Sequence, residues 1–341
     1  MNAFRENIML NKLFSFFLLV LFCVGCDNAG KPKIGVSFGT GHSKRWPVEI
    51  EAMKKRAEEL GITIEIRHNQ TDTPKTQAED CIEMIDSGIK ALILVPRDIH
   101  KNDEILAYAK EKNVKVISYA RTVMGENIDL FIGYDVYKIG QNLGLHLTEK
   151  VYRGNIAILK GDPNDINAIY LYDGALKHIR PLAAQGNLNI IMDEYINRWS
   201  PELAKEKLKE AIKRNHYKID GVFAENDRLA GAAADAVREL GIRNHVVIVG
   251  MDADINATRR LVRGTQDATV YMNLKDMAHT AVNEAYNMAT NKKKNANSTY
   301  DNESDFKIDA YLINGKIITR ENLDKLIIEP GIFTREEVYG N

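Results

Sequence analysis

The feature that most constrains the fold is a regular alternation of short apolar segments and amphipathic helical segments, which begins at Lys33. The apolar segments, in chain order, are KIGVSF, ITIEIR, ALILVP, VKVISY, IDLFIG, NIAILK, NIIMDEY, DGVFA, VVIVG and ATVYM. Longer stretches with helical periodicity, such as PVEIEAMKKRAEEL and PELAKEKLKEAIKRN, separate most of them. Continuous apolar strands that alternate with helices form parallel sheets covered by helices on both faces. The sequence therefore predicts an α/β fold.

The length of the chain favours two such sheets over one large sheet. A chain of 341 residues corresponds to roughly two domains. The first set of strands runs from Lys33 to about Gly133, and the second begins with the helix YKIGQNLGLHLTEKV and the strand NIAILK. We expect each set to form a doubly wound lobe. Asn314-Gly315, between apolar segments, predicts either a two-residue hairpin or a loop between the lobes.

The first 26 residues are predicted to be a targeting segment. Lys12 precedes the apolar run LFSFFLLVLFCVGC, which is short for a membrane-spanning helix. The run ends at Gly25-Cys26 and resembles a bacterial lipoprotein signal, in which Cys26 would be lipidated, although Cys23 stands where a Leu is usual. An uncleaved N-terminal anchor is the alternative. Either form predicts an extracytoplasmic protein tethered to the membrane.

The remaining cysteine and the charge of the chain bear on two further properties, disulfide bonds and nucleic-acid binding. Processing at Cys26 would leave only Cys81, which lies among apolar residues at helical spacing, so no internal disulfide is expected. The net charge is −1, which gives no reason to expect a nucleic-acid partner.

Four polar residues, Glu225-Asn226-Asp227-Arg228, follow the apolar segment GVFA directly. Asn and Asp cap helix N-termini, and we expect Asp227 to cap the following helix. Ligands bind at the carboxyl ends of the strands in open parallel sheets. Asn226 is therefore a candidate ligand contact.

The two tryptophans occupy matching places in the two halves of the chain. Trp46 follows the first strand and precedes Pro47, and Trp199 follows NIIMDEY in the sequence Trp-Ser-Pro-Glu. Ser200 is the expected N-cap and Pro201 the first helical residue. Each indole could simply pack on its own helix as a hydrophobic staple. Because both stand next to an arginine, we favour two aromatic plates around a sugar, whose hydroxyl groups need acidic, amide and guanidinium partners.

With these residues, the chain resembles the type I periplasmic sugar-binding proteins, and among them the bacterial D-xylose-binding proteins. The segments that carry the resemblance are KRWPVEIEAMKKRAEELG, VKVISYART, IDLFIGYDVYKIGQ, DPNDINAIYLYDGALK, NRWSPE, AENDRLAGAAADAV and VGMDADINATRRLVRGTQDATVYMNL. The resemblance implies two lobes joined by three crossing strands, with a ligand cleft between them. The implied crossings lie near 133–135, 270–273 and 310–314. The N-terminal lobe would comprise 33–133 plus about 273–309, and the C-terminal lobe 136–270 plus about 312–333.

The resemblance also implies a set of sugar contacts. The first lobe would supply Arg45, Trp46 and Arg121. The second lobe would supply Asn167, Trp199, Asn226 and Asp252. Capping of the next helix is the alternative role for Asp252.

Three positions depart from the family pattern. Ala120 replaces an Asp, Tyr172 replaces an Arg, and Met272 replaces a Lys. Each lost hydrogen bond to a charged group would weaken binding by about 1.5–3 kcal/mol. We therefore expect weak D-xylose binding or a preference for a related monosaccharide.

Several functions remain to be compared. The first is a receptor that delivers a sugar to an ABC permease, and the second is a subunit that signals to a membrane histidine kinase or chemoreceptor. An enzyme is not expected, because no nucleophile–base set, phosphate-binding loop or metal-ligand spacing is found. A transcription repressor of this fold is not expected either, because the targeting segment occupies the place of its DNA-binding helices. The sequence predicts no cofactor and no metal.

Overall fold

A computed structural model describes residues 30–39, 45–68 and 76–340. The predicted targeting segment, with Cys26, lies outside these residues. No helix in the described part of the chain is both long and apolar enough to cross a bilayer.

The chain folds as two compact units. Among the described residues, the first comprises those up to Asp129 together with His279–Asn295, and the second comprises Leu130–Ala278 together with those from Ala296 onward. The lobe boundaries and crossing strands given above stay predictions.

The first unit contains a parallel sheet in the order β4-β3-β1-β2. Its strands are β1 (Lys33–Phe38), β2 (Thr63–His68), β3 (Ala91–Val95) and β4 (Lys115–Tyr119). Its connecting helices are α1 (Trp46–Leu60), α2 (Gln77–Asp86) and α3 (Asp103–Glu111). All residues of β3 are fully buried, as expected for a strand covered on both faces. Cys81 on α2 is also fully buried, and burial raises the pKa of its thiol to about 12.

The second unit contains a parallel sheet in the order β7-β6-β8-β9. Its strands are β6 (Gly154–Lys160), β7 (Leu188–Tyr195), β8 (Gly221–Ala224) and β9 (Val247–Val249). Its helices are α4 (Val136–Lys150), α5 (Ile166–Ala184), α6 (Pro201–Arg214), α7 (Asp227–Glu239) and α8 (Ile255–Arg263). The alanine-rich face of α7 packs with α6 into one apolar core. The predicted α/β class, with parallel sheets, is confirmed.

Shorter pairings complete the second unit. Strand β12 (Ile308–Ile313) runs parallel to β5 (Leu130–Tyr134) and antiparallel to β11 (Ser298–Tyr300), and β10 (Thr269–Tyr271) pairs antiparallel with β13 (Lys316–Ile318). Helix α9 (Leu274–Ala289) begins among the residues of the second unit and ends among those of the first. The second unit also contains a π-helix, Asp324–Ile328, and helix α10 (Arg335–Tyr339). The hairpin alternative for Asn314-Gly315 is wrong, because β12 and β13 on either side of it pair with different strands.

Two glycines allow α4 and α5 to pack with their backbones in contact. A Cβ atom on Gly140 would lie 2.1 Å from the carbonyl oxygen of Leu171. A Cβ atom on Gly174 would lie 2.1 Å from the carbonyl oxygen of Tyr137. Since a backbone atom cannot move aside as a side chain can, only glycine fits at either position.

Candidate functional site

In the first unit, Arg45 is the N-cap of α1 and Trp46 its first residue, and α1 is the helix that follows β1 in the chain. The Arg45 guanidinium lies 4.8 Å from the Trp46 ring centroid and donates two hydrogen bonds to Glu49, of 2.8 and 2.6 Å. Glu49 is fully buried and also accepts a 2.7 Å hydrogen bond from the hydroxyl group of Tyr119, the last residue of β4. Glu49 therefore joins the start of α1 to the end of β4, where the predicted residues of this unit stand.

Trp46 is only 4% exposed and packs on Phe38, with ring centroids 5.2 Å apart. Its indole Nε1 is buried and makes no hydrogen bond to the described residues. A buried tryptophan N–H normally has a partner. This N–H is therefore a donor that an oxygen atom of a bound molecule could satisfy.

A tight turn follows β4. The backbone N–H of Arg121 donates a 2.7 Å hydrogen bond to the carbonyl group of Tyr119, and Ala120 between them has φ = 62°. This three-residue turn is strained, and an alanine at positive φ is uncommon. The Arg121 side chain is exposed and makes no hydrogen bond to the described residues. The turn thus presents a guanidinium group at the carboxyl edge of the sheet.

In the second unit, the residue that caps α7 differs from the prediction. Asn226 is the N-cap of α7, and its Oδ1 accepts a 2.9 Å hydrogen bond from the backbone N–H of Leu229. The prediction that Asp227 caps this helix is therefore wrong. The Asn226 amide nitrogen makes no hydrogen bond to the described residues and stays a possible donor to a ligand.

Asp227 instead fixes the turn between β8 and α7 through its buried carboxyl group. Its buried carboxyl group accepts hydrogen bonds from the Gln266 side chain at 2.8 Å, Thr269 Oγ1 at 2.8 Å and the backbone N–H of Asp254 at 3.0 Å. Burial raises the pKa of Asp227, and the neighbouring carboxyl groups of Asp252 and Asp254 raise it further. This group ties the start of α7 to the start of α8 and to β10.

Asp252 follows β9 and is exposed, with φ = 116°. The alternative role given to it, capping of the next helix, is wrong, because Asp254 caps α8 by accepting a 2.7 Å hydrogen bond from Ala257 N. A non-glycine residue in this conformation is strained. Such strain at a strand end is typical of positions with a functional role.

Trp199 lies in a 3₁₀ turn, Asn197–Trp199, between β7 and α6. Arg198 and Trp199 both have positive φ values, 56° and 53°. Ser200 caps α6 by accepting a hydrogen bond from Leu203 N, and Pro201 is the first helical residue, as predicted.

The Trp199 indole lies over Gly161, just after β6. A Cβ atom on Gly161 would lie only 2.1 Å from the Trp199 ring. The Arg198 N–H donates a 2.6 Å hydrogen bond to the side chain of Asp162, and the Ile196 N–H donates to the carbonyl group of Lys160. The Trp199 turn is thus fixed to the carboxyl end of β6.

Asn167 and Tyr172 lie on α5. Asn167 is half-buried in the first turn, which Asp165 caps. The Tyr172 hydroxyl donates a 2.6 Å hydrogen bond to Asp193, which also forms a 2.8 Å ion pair with Lys160. The Lys160 ammonium lies 4.4 Å from the Tyr172 ring centroid. Burial and the Asp193 carboxylate raise the pKa of Tyr172, so its proton stays in this bond at neutral pH.

The structure groups the predicted site residues by strand end. In the first unit, Arg45 and Trp46 follow β1, and Ala120 and Arg121 follow β4. In the second unit, the segments after β6, β7, β8 and β9 carry Asn167, Trp199, Asn226 and Asp252 respectively. Met272 is half-buried directly after β10. Since carboxyl ends of parallel strands share one edge, each set lies along one edge of its own sheet.

Glu225 was not singled out from the sequence as a site residue. It is the first residue after β8 and is fully buried. Its Oε2 accepts a 2.5 Å hydrogen bond from the backbone N–H of Gly161, while its Oε1 has no partner among the described residues. An acid directly after an apolar strand was the available signal. In the described part of the chain, no group of three or more His, Cys, Asp and Glu residues could hold a metal ion.

Comparison with known proteins supports the resemblance to periplasmic binding proteins. A family model described as periplasmic binding protein domain matches residues 34–293. The D-xylose-binding periplasmic protein of Escherichia coli (strain K12) is 28% identical over 333 residues, which cover 98% of this chain and 99% of that protein.

Solved structures share the fold. An ABC transporter solute-binding protein from Clostridium phytofermentans, with bound β-D-glucose, superposes with a TM-score of 0.78 at 24% identity, covering 90% of this chain and 99% of the other. The fructose-binding periplasmic domain of a hybrid two-component system superposes with a TM-score of 0.68 at 23% identity, covering 88% and 94%.

These matches confirm the resemblance inferred from the sequence motifs. They also confirm that the chain is not an enzyme, because the matching family and the relatives are solute-binding proteins. The chain belongs to the periplasmic binding protein domain family.

Proposed function

We propose that this protein binds a monosaccharide outside the cytoplasm. The observation that carries the proposal is the row of candidate contacts along the carboxyl edge of the second unit's sheet, after β6 to β9. That edge is where open α/β sheets bind their ligands. The names of the relatives, which include proteins described as D-xylose-binding and as carrying bound β-D-glucose, support a sugar as the ligand class.

The chemistry of this edge suits a sugar. The half-buried Trp199 ring offers an apolar surface for the C–H face of a pyranose, and Asn226 and Asp252 offer a donor and acceptors for hydroxyl groups. Arg45, Trp46 and Arg121 in the first unit stay predicted sugar contacts. The unsatisfied Trp46 N–H supports that role for Trp46, because a sugar hydroxyl can accept from it.

The proposal also covers which sugar is bound. D-xylose or a related monosaccharide is our choice, with weaker D-xylose affinity than a relative that carries the full charged set. Met272 and Ala120 offer no side-chain hydrogen bond, and the Tyr172 hydroxyl is engaged with Asp193. The Tyr172 hydroxyl therefore does not replace the hydrogen-bond donor that the arginine of the family pattern would supply at this position.

A thermal-shift screen over pentoses, hexoses and polyols tests the proposal, because a ligand that binds only the folded state raises its Tm. The sugar that gives the largest shift is then titrated calorimetrically against Trp199→Ala and Asn226→Ala. Tyr217→Ala is the matched control, since Tyr217 is an exposed aromatic residue that precedes β8 rather than following a strand. If no sugar raises the Tm, the proposal is wrong.

We further propose that the protein delivers its sugar to an ABC permease. The alternative is signalling to a membrane histidine kinase or chemoreceptor, which the likeness to a periplasmic domain of a two-component system favours at the level of the fold. Reconstitution with the proteins encoded beside its gene separates the two. Sugar-stimulated ATP hydrolysis would support transport, and sugar-dependent autophosphorylation would support sensing.

A membrane tether at the N-terminus completes the proposal. Mass spectrometry of the native protein decides its form, with a diacylated Cys26 expected for a lipoprotein and an intact N-terminal segment for an uncleaved anchor. A native protein that has neither, recovered from the cytoplasm, would contradict both forms.

A further inference from the structure

Glu225 has a buried carboxyl group whose two oxygen atoms have different surroundings. Oε2 accepts the 2.5 Å hydrogen bond from Gly161 N, and Oε1 is buried without a partner among the described residues. Buried polar groups are nearly always paired, so an unpaired one calls for an explanation. No described hydrogen bond other than the one to Gly161 holds this side chain.

Gly161 connects Glu225 to the Trp199 turn. The Trp199 ring packs so closely on Gly161 that a Cβ atom there would lie 2.1 Å from it. The backbone N–H of Ile196 donates to the carbonyl groups of Lys160 and Gly161, at 3.0 and 3.1 Å. A displacement of Gly161 would therefore move the surface on which the indole rests.

We infer that Glu225 is a positioning residue of the proposed sugar site, which holds Gly161 in place and through Gly161 holds the indole of Trp199. The effect on sugar affinity rests on the proposed function. The effect on the Trp199 environment does not, because it is present in the free protein.

The protonation state of Glu225 gives this inference a distinctive signature. The charged groups that act on it are Lys160 at the end of β6, Asp165 before α5 and Asp193 on β7. Burial raises the pKa of Glu225 to about 9, against the opposing effects of the Gly161 N–H and Lys160. The group is therefore neutral at pH 7. Once ionised, a buried carboxylate with one donor is poorly compensated, so we expect its unpaired Oε1 to draw Lys160 or water towards it. The new charge and this rearrangement beside Gly161 should change the surroundings of the Trp199 indole.

The first test uses the free protein with Trp46→Phe, so that Trp199 is the only indole. Trp199 emission is followed from pH 6 to about pH 10.5. The Trp46→Phe parent should show a transition in its emission near pH 9. The same protein with Glu225→Gln should lack it, because glutamine keeps an acceptor for Gly161 but does not ionise. Glu225→Ala should have altered emission at every pH. Glu210→Gln, an exposed acid on α6, is the matched control and should behave like its parent.

The second test keeps Trp46 and measures the affinity for the sugar that gives the largest thermal shift. At pH 7 and well below the Tm, Glu225→Ala should weaken binding by about fivefold or more, and Glu225→Gln should stay within about twofold of the parent. A lower Tm in Glu225→Ala with unchanged emission and affinity would reduce Glu225 to a stabilising residue and overturn the inference. So would a transition near pH 9 that persists in Glu225→Gln. If no sugar binds, the proposed function fails, and the emission test alone decides the role of Glu225.

Discussion

Replacement of Gly161 by alanine tests the packing that sets the Trp199 indole in place. The new Cβ atom would lie 2.1, 2.2 and 2.5 Å from Cη2, Cζ2 and Cζ3 of Trp199. Carbon atoms in favourable contact are about 3.5–4.0 Å apart, so the ring has to move by roughly 1.5 Å. Gly161 does not have a positive φ, so the added methyl group acts through this contact and not through backbone strain.

The expected cost has two parts. Overpacking of this kind destabilises the folded protein by about 1–3 kcal/mol, and each kcal/mol lowers the Tm of a unit of this size by about 2–4 °C. The displaced ring also loses its contact with a bound sugar. If that contact is comparable to an aromatic pair, worth about 0.5–1.5 kcal/mol, the affinity falls roughly two- to tenfold.

Differential scanning fluorimetry and titration calorimetry measure the two parts, and a double-mutant cycle identifies their source. In a Trp199→Ala background the ring is absent, so Gly161→Ala should lower the Tm and the sugar affinity little further. Gly231→Ala is the control, because its Cβ atom would meet only the end of the Arg260 side chain, at 3.0 Å, within helix α7. Equal losses from Gly161→Ala in both backgrounds would refute the reasoning.

Three further predictions concern stability. Gly140→Ala should destabilise the protein by about 1–3 kcal/mol, measured by urea unfolding, because the methyl group would meet the Leu171 carbonyl oxygen at 2.1 Å; a loss below the error of the measurement would contradict the α4–α5 contact. Asp227→Ala should cost about 2–4 kcal/mol in the same assay, since it leaves buried donors of Gln266 and Thr269 unpaired, while exposed Asp235→Ala should cost much less. The pKa of Glu225 is raised from 4.5 to about 9 on folding, so this group lowers the free energy of unfolding as the pH rises between these values, by about 1.4 kcal/mol per unit. The stability difference between the wild type and Glu225→Gln should follow that slope and level off above pH 9, and a difference that does not vary with pH would contradict it.

The elements that the sequence predicted correctly are those fixed by local pattern. Periodicity places the buried strands and the amphipathic helices, and Ser200 with Pro201 marks the start of α6, because the capping hydrogen bond reaches only to Leu203. The loop at Asn314-Gly315 could not be assigned in the same way. Its dipeptide is compatible with a hairpin, but the pairing of β13 with β10, more than 40 residues earlier in the chain, decides the outcome.

The capping of α7 by Asn226 and not by Asp227 has the same origin. Either residue type can cap a helix, so the local sequence does not distinguish them. Asp227 is instead drawn to donors far along the chain, Gln266 and Thr269, which are 39 and 42 residues away. The partner of Glu225, Gly161, is 64 residues away. Contacts at such separations leave no periodic signal in the sequence.

The polar run after β8 serves three different contacts, because successive residues leaving a strand point in different directions. Glu225 turns towards β6, the neighbour of β8 on one side, where it meets Gly161. Asp227 turns towards the other neighbour, β9, and the residues that follow it, where it meets Gln266 and Thr269. Asn226, between them, uses its oxygen to cap α7, so its amide nitrogen can still donate to a ligand. A buried acid on each side therefore fixes the position of one half-buried donor, and loss of either acid should disturb that donor without touching a ligand.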